Sequence, residues 1–324
     1  MLDAPNKRNW VNIVNQTSML FLAGAAAAIG FRMNLFNIGV EGQYTLAAYC
    51  AAVFAGAALL PGTLNIWASL VVAMCVGGIW AGIAGLLKVT RGVSEVISTI
   101  MLNSIALTLV GYLLNRYGEQ AGQGRRTSPI PDSSKLLDQH FGYFDTRGTG
   151  VWALAFLAVV VGVVMAVVIN RTRFGFDLRT TGSNEQAAVA SGVGIKKMVV
   201  VAMLISGAIA GLIWMPALFG GADYYGTTFQ RGLGFTGIAV ALLGRNRPLG
   251  IAVGALLFAW LSVQSNPLQL KADISPSVVQ VTQGVVVLAV VIAYEAVRRW
   301  GAAQEQRALS RALDRNAAQE GASA

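Results

Sequence analysis

The chain has 324 residues, of which 55% are hydrophobic and only 12% charged, with a formal net charge of +9. A soluble domain carries about 25% charged residues, so a single water-soluble core cannot hide this much apolar sequence; disorder, a collagen repeat and a disulfide scaffold are excluded by the same figures. The basic residues lie between long apolar runs, which makes them topology signals in a membrane protein rather than a nucleic-acid surface.

Nothing in the polar N-terminus, MLDAPNKRNW, resembles a signal peptide. About 20 apolar residues cross a bilayer as a helix. On that basis nine spans are expected, at 13–31, 40–60, 64–87, 93–115, 150–171, 198–220, 232–244, 249–263 and 278–297. The seventh and eighth are short and read as half-helices or a re-entrant pair. The fold class is therefore an all-α polytopic membrane protein, with a membrane-spanning body over 1–300 and a cytoplasmic tail over 301–324.

Small residues at spacing four mark Gly78 and Gly82, Ala81 and Gly85, and Gly207 and Gly211, faces that let helices approach closely in lipid. Cys50 and Cys75 lie inside apolar runs and read as buried small hydrophobes. His140 is the single histidine. Zinc sites and His-dependent nucleophilic catalysis thus have almost nothing to work with. No GxxxxGK[ST] exists, so the chain has no P-loop. Gly232 to Gly237 spells GxGxxG, but no strand precedes it, and it reads as a glycine-rich helix start.

Between the first two spans lies Asn34-Leu-Phe-Asn-Ile-Gly-Val-Glu-Gly-Gln43. An acid at mid-bilayer depth costs about 2.5–3.5 kcal/mol, so such groups usually mark a pathway. Phe36, Asn37, Glu41 and Gln43, with Asn103 on the fourth span, are the candidate substrate path. Helix capping by Asn37 or Gly39, with Glu41 in the first turn, explains the same residues. Aromatic faces for a flat ligand are available at Phe36, Trp214, Tyr224, Tyr225, Phe229 and Phe235, although Trp and Tyr also anchor spans at the interface.

The loop at 116–149 is long for a membrane protein. It carries Arg116, Arg125, Arg126 and Arg147, which with Arg231 could pair with acids on a docking partner. The segment 171–197 holds five Lys/Arg against two acids and is placed inside. Alternating from it puts 15 Lys/Arg inside and nine outside, with the C-terminus inside and the N-terminus outside. An outside N-terminus without a signal peptide suggests a missing upstream helix. Within 171–197, a short helix is expected between Gly182 and Gly192. Asn184 or Ser183 caps its start, Glu185 suits its positive end, and Ala187, Ala188 and Ala190 give it a small surface.

These stretches resemble the permease subunits of bacterial ABC importers of the branched-chain amino acid and ribose type, closest to the nucleoside branch. The resemblance rests on FNIGVEGQ at 36–43, FGFDLRTTGSNEQAAVASGVGIKK at 174–197, SGAIAGL at 206–212 and GFTGIAVALLGRNRPLG at 234–250. It implies the ten-helix importer permease fold, here apparently without its first helix. It implies that Gly182, Asn184, Glu185, Ala187, Ala188 and Gly192 belong to a coupling helix docking on a separate ATPase, which binds ATP and Mg. No cofactor is expected on this chain. Gln43 resembles one of two paralogous permeases that pair, so a heterodimer is implied, with a substrate-binding lipoprotein at the outer face. The expected function is ATP-driven nucleoside import by alternating access. A simple sugar such as ribose is the alternative substrate, and a secondary transporter a more distant one.

Overall fold

The computed structural model describes residues 7–134, 150–272, 277–286, 288–290 and 292. The chain divides into two compact units, 1–276 and 277–324. In the first unit, helices α1 (Lys7–Phe31), α2 (Val40–Gly56), α3 (Gly62–Arg91) and α4 (Glu95–Tyr117) are followed by a hairpin of β1 (Glu119–Ala121) and β2 (Gly124–Arg126). Then come α5 (Phe156–Arg171), α6 (Arg173–Ser183), α7 (Glu185–Ala190), α8 (Ile195–Gly211), a three-residue α9 (Met215–Ala217), α10 (Leu233–Leu243) and α11 (Pro248–Ala272). Each of the first eight expected spans has a helix. The ninth is helical at 277–286, in the second unit.

Among the described residues six helical stretches are long and apolar enough to cross a membrane: α1, α3, α4, 153–171, 195–222 and 248–265. They differ in enclosure. The span within α1 is 83% buried, against 28% for α4 and 22% for 153–171. α1 can sit in the middle because its inner half is Ala-Gly-Ala-Ala-Ala-Ala, which lets neighbours approach on every side. The rim helices carry exposed Val, Ile and Leu, as surfaces facing lipid must.

The tightest packing joins α3 to α8. A methyl group at Gly207 would overlap the carbonyl oxygen of Gly77, and one at Gly211 would overlap that of Ala73. Only glycine allows this backbone-to-backbone approach, so the small-residue faces form the contact they were expected to form. α3 stops at Gly92, which takes φ +67°, and Lys88 then meets Glu95 at 2.5 Å across the turn into α4.

Two expectations are corrected. The eighth span is not short: α11 runs 25 residues, because Ser262, Ser265 and Asn266 are tolerated within a helix that continues past them. α10 is short, at 11 residues, or roughly 16 Å at 1.5 Å per residue. It is the half-helix of the pair. Cys75 is exposed rather than buried, since it lies on an outward face of α3 where a small apolar thiol suits lipid. Most of the loop at 116–149, including His140 and Arg147, lies outside the described residues. The tail at 301–324 does too.

Candidate functional site

α10 does not simply follow α9. Residues 223–232 run as non-helical backbone, which membrane depth tolerates only where protein encloses it. Here the enclosure is aromatic. Phe229 stacks on Tyr44 with centroids 5.4 Å apart, meets Trp214 edge-on at 5.0 Å and lies 4.5 Å from Tyr225. Tyr225 in turn meets Tyr49 edge-on at 5.7 Å. Four of these five rings (Tyr44, Tyr49, Trp214 and Tyr225) are buried. They fill one another's faces, and no flat ligand fits between them in this conformation. Tyr224 stands apart, under the Arg126 guanidinium at 5.1 Å, and Phe235 is exposed.

Beneath this cluster lies a knot of buried polar side chains. Asn37 and Gln43 exchange amide hydrogen bonds, with Asn37 Nδ2 donating to Gln43 Oε1 at 3.0 Å and Gln43 Nε2 donating to Asn37 Oδ1 at 2.8 Å. Asn37 Nδ2 also donates to Ser206 Oγ at 2.8 Å, and that hydroxyl donates to the Ala26 carbonyl at 2.7 Å. Asn103 reaches in from α4. Its Oδ1 accepts from Gly42 N at 2.8 Å and its Nδ2 donates to the Ile38 carbonyl at 2.9 Å. The knot therefore ties α1, α2, α4 and α8 at one level.

Glu41 completes it. Its Oε1 accepts from Gly232 N at 2.7 Å and its Oε2 from Gly234 N at 3.0 Å. The Tyr44 hydroxyl lies 3.1 Å from Oε1 and 2.9 Å from the Gln230 carbonyl. The carboxylate thus sits on the N-terminus of α10, where unpaired N–H groups and the helix dipole favour an anion. Gly232 precedes α10 with φ +88°, a left-handed conformation that glycine adopts freely. Glu41 lies in the first turn of α2, as the capping alternative has it, and its carboxylate in addition caps the start of α10. Gly39, the N-cap of α2, has no side chain to cap it with, and Asn37 Oδ1 accepts the Gly39 N–H at 3.1 Å.

Of the five path candidates, four come together. Asn37, Glu41, Gln43 and Asn103 are all buried with their hydrogen bonds made. Phe36 is separate, 48% exposed and edge-on to Phe31. Sequence reasoning missed Ser206 and Tyr44. Ser206 had a signal, being a hydroxyl inside an otherwise apolar span; Tyr44 had none beyond its place after Gln43.

The segment 171–197 contains two helices, not one. α6 is amphipathic, with Gly175, Leu178 and Thr181 buried, and Thr172 Oγ1 caps it by accepting from Gly175 N at 3.2 Å. α7 follows after one residue. Asn184 Oδ1 accepts from Gln186 N at 2.9 Å and Ala187 N at 3.1 Å, as a capping asparagine should. Glu185, Ala187, Val189, Ala190 and Gly192 are exposed, whereas Ala188 is completely buried. Gly182, at the end of α6, packs on the Arg32 carbonyl so closely that a methyl there would overlap it. The segment thus rests on the chain that leads directly to Asn37.

At the opposite end, Arg116, Arg125 and Arg231 are exposed and Arg126 is half-buried, 3.9 Å from Glu119. The hairpin is held to the 223–232 segment by Thr127 N donating to the Tyr225 carbonyl at 2.9 Å and Ile130 N to Asp223 at 2.8 Å.

Residues 9–293 match the family described as branched-chain amino acid transport system, permease component. The chain belongs to that family. The guanosine ABC transporter permease NupP of Bacillus subtilis is 34% identical, over 87% of this chain and 80% of that protein. A glucose ABC transporter permease of Haloferax volcanii is 31% identical, over 83% and 72% respectively. Among solved structures, a metal-chelate type ABC transporter in an inward-facing conformation aligns with TM-score 0.52 at 14% identity, covering 90% of this chain and 91% of that one. That likeness concerns fold alone. The permease is a multi-pass membrane subunit of an ABC importer. It is a transport subunit rather than an enzyme, and works with separate ATPase and substrate-binding partners.

Proposed function

We propose that this permease imports nucleosides, and that movement of α6–α7 by an ATPase opens and closes the path through the polar knot. One observation carries the mechanism: Gly182 packs against Arg32, which lies five positions before Asn37, so the coupling segment and the knot share one stretch of backbone. A displacement of α7 is transmitted along 32–39 to Asn37 and Glu41, and through Glu41 to the N-terminus of α10. α10 is the half-helix whose tilt changes access. ATP and Mg bind the partner ATPase. Differential binding there must supply about 5.5 kcal/mol to switch a 1:99 population to 99:1.

The docking face on α7 is formed by Glu185, Ala187, Val189 and Ala190, with Asn184 fixing the helix start and Gly182 and Gly192 its flanks. Ala188 seats the helix rather than touching the partner. Segment 171–197 and the C-terminus lie in the cytoplasm. Arg116, Arg125, Arg126, Arg147 and Arg231 face a substrate-binding lipoprotein outside, where such charges steer encounter. The second half of the pathway comes from a paralogous permease. The guanosine relative supports the nucleoside assignment, and the glucose relative favours a simple sugar as the second reading.

Uptake of labelled guanosine, adenosine, uridine, ribose and glucose tests this, in cells with the gene intact, deleted, or carrying Val189→Glu. Loss of nucleoside uptake in both altered strains is expected. Loss confined to a sugar moves the substrate to the second reading. Normal uptake by Val189→Glu, with the protein present in the membrane, rejects α7 as the docking helix.

A further inference from the structure

Apart from the knot and α7, the described residues hold an apolar groove of about 430 Å³ between α1, α5 and α11. Phe21, Val159, Val163, Ala166, Pro248 and Ala252 are among its lining residues. Its two hydroxyls are used internally: Thr17 donates to the Ile13 carbonyl at 2.6 Å and Ser18 to the Asn15 carbonyl at 2.7 Å. The groove therefore offers a ligand no hydrogen bond. It lies between membrane spans, and its lining is apolar.

One end of the groove is basic. Pro248, which lines it, directly follows Arg247. Arg32 Nε donates to the Asn246 carbonyl at 2.8 Å, which holds its guanidinium against the same turn. Arg179 donates to the carbonyl of Ile169, one turn beyond the lining residue Ala166 on α5. Three arginines from three separate elements thus gather at the groove's end. Burial, and then the nearby Arg179 and Arg247, lower the Arg32 guanidinium from its ordinary value. Among the described residues none of the three forms an ion pair with a carboxylate. Like charges held together without a counter-ion call for an anion.

We propose that groove and arginines form one site for an anionic phospholipid, with an acyl chain along α1, α5 and α11 and the phosphate on Arg32, Arg179 and Arg247. Basic pockets between spans bind acidic headgroups in this way. The joint geometry selects a lipid over a free anion, because the apolar half would otherwise be left facing the bilayer unfilled.

The test is native mass spectrometry of the purified transporter complex, exchanged into phosphatidylglycerol or phosphatidylcholine. Phosphatidylglycerol is expected to be retained preferentially. Arg247→Gln should reduce its retention about fivefold, the effect of one basic residue near a surface, while Arg247→Lys retains it. Val163→Trp, on the exposed rim of the groove, should reduce retention of both lipids. Thermal midpoints of the variants identify any that are simply misfolded, and Arg247→Lys against Arg247→Gln remains decisive if Val163→Trp is one. Equal retention of the two lipids overturns the headgroup assignment. If inorganic phosphate competes fully and Val163→Trp changes nothing, the arginines are a free-anion site and the lipid proposal fails. Retention unaltered by any variant means that protein covers the groove, and also overturns it.

Discussion

Glu41 is a buried acid whose carboxylate oxygens accept two backbone N–H groups, with the Tyr44 hydroxyl at hydrogen-bond distance. Charge in this position is stabilised by the half-helix it caps, and the cap is what holds α10 against α2. Glu41→Ala leaves two N–H groups buried and unpaired, at a cost of about 1–3 kcal/mol each. The thermal midpoint of the purified complex should fall by several degrees, and uptake should fall with it. Glu41→Gln retains one acceptor but sets an amide N–H₂ against a backbone N–H, so an intermediate loss is expected. Asn37→Ala removes the partner of Gln43, Ser206 and Gly39 together. Its prediction is instability at least as great as that of Gln43→Ala, measured in the same melt. A variant that stays as stable as the parent but loses transport would show that Asn37 acts on substrate rather than on packing.

At the level of elements, α7 separates two roles that the sequence places side by side. Ala188 is 0% exposed and Val189 59%. Ala188→Glu forces a carboxylate into the body of the protein and should lower the amount of folded permease in the membrane. Val189→Glu should leave that amount unchanged and abolish ATPase-coupled uptake; immunoblotting beside the uptake assay distinguishes them. The α3–α8 contact makes a second prediction. Gly211→Ala drives a methyl into the Ala73 carbonyl, and overpacking of this kind costs about 1–3 kcal/mol, read as a lowered melting midpoint. Both elements were legible early. The glycine spacing announced α3 and α8, and the Asn184 to Ser191 stretch announced α7 with its cap. What the sequence did not reveal was direction. A six-residue helix with alanines on every side gives no periodicity to say which alanine turns inward, and only the contact with the body decides it. α6 went unread because its apolar residues are few and glycine-diluted. Glu41 was recognised as special for its depth, yet its partner lies almost 200 residues away, a pairing that no local pattern encodes.

For the whole molecule, family membership makes the transporter ATP-driven, and the arrangement bears on how that energy reaches the pathway. Ion coupling at membrane depth needs acids or other ligands that can exchange a proton or sodium along a path. Among the described residues the buried acids are Glu41 and Glu95. Glu95 is paired with Lys88, and Glu41 is occupied by the start of α10. Neither faces a second acid that could take its proton onward, and no group of three or more His, Cys, Asp or Glu side chains gathers among those residues. Importers of this family take their energy from the ATPase, and the route proposed for it runs from α7 to Gly182, Gly182 to Arg32, the backbone to Asn37 and Glu41, and Glu41 to α10. In proteoliposomes containing the permease, the second permease proposed above and the ATPase, with binding protein added outside, nucleoside accumulation should require internal ATP. It should persist when ionophores collapse proton and sodium gradients, and cease with a non-hydrolysable ATP analogue after at most one turnover. Gradient-dependent uptake without ATP would overturn the mechanical route, and the latch between α2 and α10 would not be its hinge.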